Sequence, residues 1–146
     1  MEWFGYVSQN YIKEYKEENI KIYGNTLSGM DYRNNTVQYL KEKLASDITV
    51  YNRNGQVLSN ADLVGTGCRV VYDGQELVAL LYGDVNGDGK INSVDLLVLQ
   101  RQILEIEMIT GVYLSAGNIS KNGKNPSSYD SLIIQRHILE FQIIEQ

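Results

Sequence analysis

Three aspartates spaced for one ion stand in the middle of this chain, in Gly83-Asp84-Val85-Asn86-Gly87-Asp88-Gly89-Lys90-Ile91-Asn92-Ser93-Val94-Asp95. Counting Asp84 as position one, Asn86 falls at three, Asp88 at five, the Lys90 carbonyl at seven and Asp95 at twelve, with Gly89 at six where the chain must turn sharply. Calcium is a hard cation that takes about six to eight oxygens at roughly 2.3–2.6 Å, so alternate residues of a tight loop plus one carboxylate from the next helix can surround it. Aspartate rather than glutamate at position twelve shortens the reach of the closing carboxylate. An ordinary Asn/Gly-rich turn accounts for the glycines but not for a carboxylate so far downstream.

The elements that must position this loop repeat themselves. Asp95-Leu96-Leu97-Val98-Leu99-Gln100-Arg101-Gln102-Ile103-Leu104-Glu105 returns 35 residues later as Asp130-Ser131-Leu132-Ile133-Ile134-Gln135-Arg136-His137-Ile138-Leu139-Glu140. A second glycine-bearing loop, residues 117–130, precedes the second helix. Two loop-helix units therefore form a pair. Each helix is apolar around most of its girth, Leu97, Leu99, Ile103 and Leu104 being matched by Leu132, Ile134, Ile138 and Leu139, so one face of each is expected to bury against the other and a second apolar stripe to be left over.

The first loop, with no entering helix, a Leu-rich helix carrying Gln-Arg and then a second copy, resembles a dockerin over about residues 83–146. That resemblance implies a calcium-loaded module through which bacterial secreted or cell-surface proteins dock onto cohesin modules in cellulosome-type assemblies for polysaccharide degradation. It places partner contacts at Ser93, Val94 and Arg101 in one copy and Ser128, Tyr129 and Arg136 in the other. Val94 against Tyr129 breaks the symmetry of the copies, so one preferred face is expected.

The second loop is degenerate. Asn118, Ser120 and Asn122 replace the first, third and fifth ligands, only Asp130 stays charged, Lys121 and Lys124 intrude, and the loop is one residue longer. Pro126 cannot donate the backbone N–H that Ile91 offers near the equivalent point. Affinity follows ligand charge and rigidity, so the first site is expected to be filled and the second empty or much weaker; the alternative is that Asn and Ser oxygens still hold an ion.

Residues 1–82 read as a small mixed, β-rich domain, giving an α+β chain of two domains, 1–82 and 83–146. Segments 20–23 and 48–51 alternate as half-buried strands do, 27–30 is a further possible strand, and Asn54-Gly55 marks a tight turn. A helix over 36–44 places Val37, Leu40 and Leu44 on one face with Asn35 as its N-cap. Residues 68–72 and 77–82 around Asp73-Gly74 form a hairpin whose last strand runs straight into Gly83, so the halves are expected to join rigidly and share an interface. This order resembles a β-grasp arrangement or the X modules that often precede dockerins, which would imply support for the dockerin. Trp3, Phe4, Tyr6, Tyr11, Ile12 and Tyr15 suggest an added strand or the tail of an upstream module.

Composition narrows the function. The net charge of −5 shows no basic footprint for nucleic acid, and no apolar run approaches the ~20 residues of a membrane span. One histidine and one cysteine, with the carboxylates assigned to calcium, leave no nucleophile–base pair, so no enzyme activity is expected. Cys68 reads as a buried strand residue and His137 as helix surface. No secretory leader is legible, and with the dockerin-like end the chain is expected to be the C-terminal part of a longer protein. Two other readings stay open. In one, a calcium sensor opens a groove, which the strand-like entry to the loop disfavours; in the other, calcium stabilises a structural or adhesive module whose tyrosine-rich N-terminal half binds glycans.

Overall fold

The computed structural model describes residues 20–121 and 125–146. The aromatic segment from Trp3 to Tyr15, and Asn122 and Lys124 in the second loop, lie outside the described residues.

Five short strands and one helix build the first half. Strands β1 (Lys21–Tyr23) and β2 (Thr26–Ser28) pair antiparallel in a tight hairpin, followed by α1 (Val37–Lys43), β3 (Thr49–Tyr51), β4 (Arg69–Tyr72) and β5 (Gln75–Ala79). The sheet order is β1-β2-β5-β4-β3, with β2 parallel to β5 and all other neighbours antiparallel. The β4–β5 hairpin turns at Asp73-Gly74, both at positive φ (52° and 75°), as a two-residue loop matched to strand twist requires. Val37, Tyr39 and Leu40 of α1 pack with Leu27, Val50, Val70, Leu77 and Ala79 into one apolar core.

Three local expectations need correction. The N-cap of α1 is Thr36, whose Oγ1 accepts the Tyr39 N–H, while Asn35 is buried and donates its side-chain amide to the carbonyls of Val64 and Gly89. Both residue types cap helices, but only the amide carries two donors able to bridge two carbonyls. Strand β1 is exposed at all three positions rather than half-buried, with Ile22 42% and Tyr23 89% exposed. Strand β5 ends at Ala79 instead of reaching Tyr82, because the Thr66 hydroxyl takes over pairing: it accepts from the Leu81 N–H and donates to the Leu81 carbonyl, 3.1 Å each.

The second half is helical: α2 (Ser93–Ile103), α3 (Gly111–Gly117), which the repeat did not announce, and α4 (Ser128–Ile138). Helices α2 and α4 pack on each other around Leu99, Ile133 and Ile134, with Val85, Ile119 and Ile144 completing a second core. The internal repeat reaches into the backbone. Each helix opens with a capping box, Asn92 with Asp95 and Ser127 with Asp130, and each is followed by a glutamate at positive φ, Glu105 (61°) and Glu140 (63°). The chain then folds back: the Gln146 side chain accepts from the Tyr82 N–H (2.6 Å) and donates to the Tyr82 carbonyl (2.8 Å). Among the described residues no helix is long and apolar enough to cross a membrane.

Candidate metal centre

The 84–95 loop is held by its own carboxylates. Asp84, fully buried, accepts at Oδ1 from the N–H groups of Gly87 and Asp88 (3.1 Å each) and at Oδ2 from Gly89 (3.0 Å) and Thr66 (2.8 Å). Asp95, also fully buried at the third position of α2, accepts at Oδ1 from Val85 (2.8 Å) and Asn86 (3.1 Å) and at Oδ2 from Asn92 (2.9 Å). One side chain thus ties the start of the loop to the start of the helix. Asp88 is exposed and accepts from the Lys90 N–H at 2.9 Å; Asn86 Oδ1 accepts from the Asp88 N–H at 3.2 Å.

These groups converge. Ligand oxygens of Asp84, Asp88 and Asp95 lie within 4.8 Å of one another. Burial drives the Asp84 carboxyl up to about 7, against the lowering effect of the Thr66 N–H and with the nearby Asp95 charge adding to the rise; burial likewise lifts Asp95 to about 6. Among the described residues no lysine or arginine forms an ion pair with any of the three. Clustered carboxylates without a protein counter-charge cost free energy when ionised, and a hard divalent cation is the partner an all-oxygen set of this kind fits. Asn86 contributes an amide oxygen beside them, and Lys90 directs its side chain to solvent.

The second loop repeats the closure but not the charge. Asp130 is fully buried and accepts from the N–H groups of Ser120 and Ser127, 2.8 Å each. Asn118 Oδ1 and Ser120 Oγ, at the first and third positions, are buried without a hydrogen-bond partner. Lys121 (φ 58°) donates to the Glu145 carbonyl and lies 4.5 Å from the Tyr82 ring centroid. Pro126 is buried and abuts Gly117.

Residues 82–139 match the model of the dockerin type I domain. That match supports a dockerin module there. No curated protein matches the chain.

The residues through which the dockerin was expected to meet a partner, Ser93, Val94, Arg101, Ser128, Tyr129 and Arg136, are all exposed on α2 and α4. They stand beside apolar side chains that also remain open to solvent, Leu97, Leu104 and Ile106 in the first copy and Leu132, Leu139 and Phe141 at the matching places in the second. Phe141 is 74% exposed, and nothing in the core uses it. Arg101 lies 3.6 Å from Glu107, so part of its charge is answered within its own copy.

His137 departs from its expected place on the open helix surface. It is half-buried, edge-on to Tyr32 of the first half (centroids 4.7 Å apart), and its Nδ1 accepts the Ile144 N–H at 3.2 Å. Burial lowers its pKa. Sequence reasoning also missed the residues of the first half that grip the metal loop: Asn35, Gly65, Thr66 and Arg53, whose guanidinium donates to the Asn86 carbonyl at 3.2 Å. Gly65-Thr66-Gly67 stands just ahead of the hairpin in the sequence, with no spacing that ties it to the loop.

Proposed function

We propose that this chain is a calcium-dependent docking module that binds a cohesin-type partner and anchors an upstream enzyme or scaffold in an extracellular polysaccharide-degrading complex. A dockerin domain implies docking onto cohesins in cellulosome-type complexes, and it is a docking module rather than a catalytic one. The observation that carries the reading is the convergence of Asp84, Asp88 and Asp95 at the head of α2, which presents the exposed Val94 and Leu97.

In this reading Asp84, Asn86, Asp88, the Lys90 carbonyl and Asp95 hold the first calcium ion. The ion neutralises carboxylates that otherwise repel one another, and so stiffens the junction between loop and helix. The second loop, with one carboxylate and two unpaired neutral oxygens, takes calcium more weakly. The cohesin contacts are Ser93, Val94 and Arg101 or Ser128, Tyr129 and Arg136, extended by the adjacent leucines and Phe141. Aromatic and arginine side chains are the groups that most often dominate binding at such surfaces, and Tyr129 makes the second copy the preferred face. The five-stranded half serves as an X-module-like support.

Immobilised cohesin domains of several specificity classes, offered the chain with calcium or with chelator, test this. One class should retain the chain in calcium and release it on chelation. Tyr129→Ala, at an exposed site that leaves the fold intact, should weaken that binding about tenfold or more, and Val94→Ala less. Calcium-independent binding, or retention by no cohesin class, refutes the reading.

A further inference from the structure

The first half does more than sit beside the metal loop; it holds two of its backbone corners and one of its carboxylates. The Thr66 N–H donates to Asp84 Oδ2 at 2.8 Å in a buried contact, and the Asn35 amide joins the Gly89 carbonyl to the Val64 carbonyl, 2.9 Å each. Both donors are themselves fixed. Thr66 is clamped by its hydroxyl to both backbone groups of Leu81, and Asn35 is fully engaged between two chain segments.

Between these hydrogen bonds the surfaces touch without slack. A Cβ placed on Gly65 would lie 2.5 Å from the Gly89 nitrogen, 2.6 Å from the Gly87 carbonyl oxygen and 2.7 Å from Asp84 Oδ2; one on Gly87 would lie 2.6 Å from the Thr66 carbonyl oxygen, and one on Gly89 2.8 Å from Leu63 Cβ. Residues 63–66 are therefore a wall of the loop, through the Leu63 side chain, Gly65 and the Thr66 backbone.

From this geometry we infer that the amino-terminal half completes the first calcium site, with Thr66 and Asn35 acting as positioning residues for Asp84 and for the sixth loop position. A metal ligand whose remaining lone pairs are already held by fixed donors loses less freedom when the ion arrives, and outer partners of this kind commonly contribute about 10- to 100-fold in metal affinity. Because such coupling is reciprocal, calcium must in turn stabilise the amino-terminal half. The inference rests on the assignment of calcium to the 84–95 loop.

The test uses the whole chain. Calcium affinity is measured by titration against a competing chelator, and melting temperature is measured in saturating calcium and in chelator. Asn35→Leu removes both amide donors without adding charge, and Gly65→Ala forces the wall away from the loop. Each should weaken calcium binding about tenfold or more and shrink the rise in melting temperature that calcium produces. Tyr32→Ala, which removes an inter-half contact away from the loop, should lower the melting temperature equally in both conditions and leave the affinity unchanged. If Gly65→Ala does not fold, Asn35→Leu decides. Wild-type affinity within twofold in the variants, with an undiminished calcium increment, overturns this inference and leaves the docking function standing. A wild-type chain that takes up no calcium removes both.

Discussion

The two loops end alike and begin differently. Asp95 and Asp130 are both buried, both close capping boxes and both accept N–H bonds from the head of their own loop, so each holds its helix to its loop in the same way. Ahead of them, at the first, third and fifth positions, the first loop sets Asp84, Asn86 and Asp88, the second Asn118, Ser120 and Asn122. Closing a helix onto a loop thus needs one carboxylate, whereas gathering a divalent ion needs several. The second copy keeps the architecture after giving up most of the charge, and its interior contacts on α2 explain how: Ile133 and Ile134 bury in the apolar core they share with Leu99.

Removing the closing carboxylate from each loop in turn is the sharpest way to break that comparison. Asp95→Ala should lower calcium affinity about 100-fold or more, as loss of a charged ligand does in such loops, and should abolish the calcium-induced rise in melting temperature. Asp130→Ala should leave the tighter site intact by titration while costing about 1–3 kcal/mol of stability for the two N–H groups it strands. Equal loss of calcium in both variants would mean that the loops share the ion-binding burden. A gain-of-charge variant comes next: Asn118→Asp with Ser120→Asn gives the second loop the first loop's opening pair, and titration should find its affinity raised about tenfold.

The smallest effect is on pH dependence in chelator. The folded carboxyls of Asp84 and Asp95 are raised to about 7 and about 6, so their contribution to stability is complete below the ordinary carboxylate range and is lost as pH rises through 6 and 7. The metal-free chain should therefore melt at a lower temperature at pH 8 than at pH 5. Saturating calcium, which binds the ionised form, should remove or reverse that trend. A metal-free melting temperature that climbs over the same interval would show that these carboxyls ionise freely in the fold.

Much of this was legible because it is local or periodic. The Asp73-Gly74 hairpin, the apolar face of α1 and the repeat from Asp95 to Asp130 each announce themselves within a short window, and the mixed sheet followed by helices is the α+β order those windows imply. The partner of Asp84 was not, since Thr66 lies 18 residues away and Asn35 lies 54 from Gly89. Contacts of that span leave no period to read. Two adjacent capping candidates, Asn35 and Thr36, look alike in sequence, and only the presence of Gly89 across the interface separates them. Helix α3 went unannounced because Gly111-Val112-Tyr113-Leu114-Ser115-Ala116-Gly117 has glycine at each end and only a few apolar positions between.

The seam where Gly65 faces Gly87 and Gly89 leaves no room for one added carbon on either side. A change at one bank therefore presses on the other, and a recombination event that carried the loop-helix pair into a new gene without residues 63–67 would take from Asp84 Oδ2 the Thr66 N–H and leave it only donors of its own loop. The two halves should be inherited as a block, travelling together wherever the chain is shuffled.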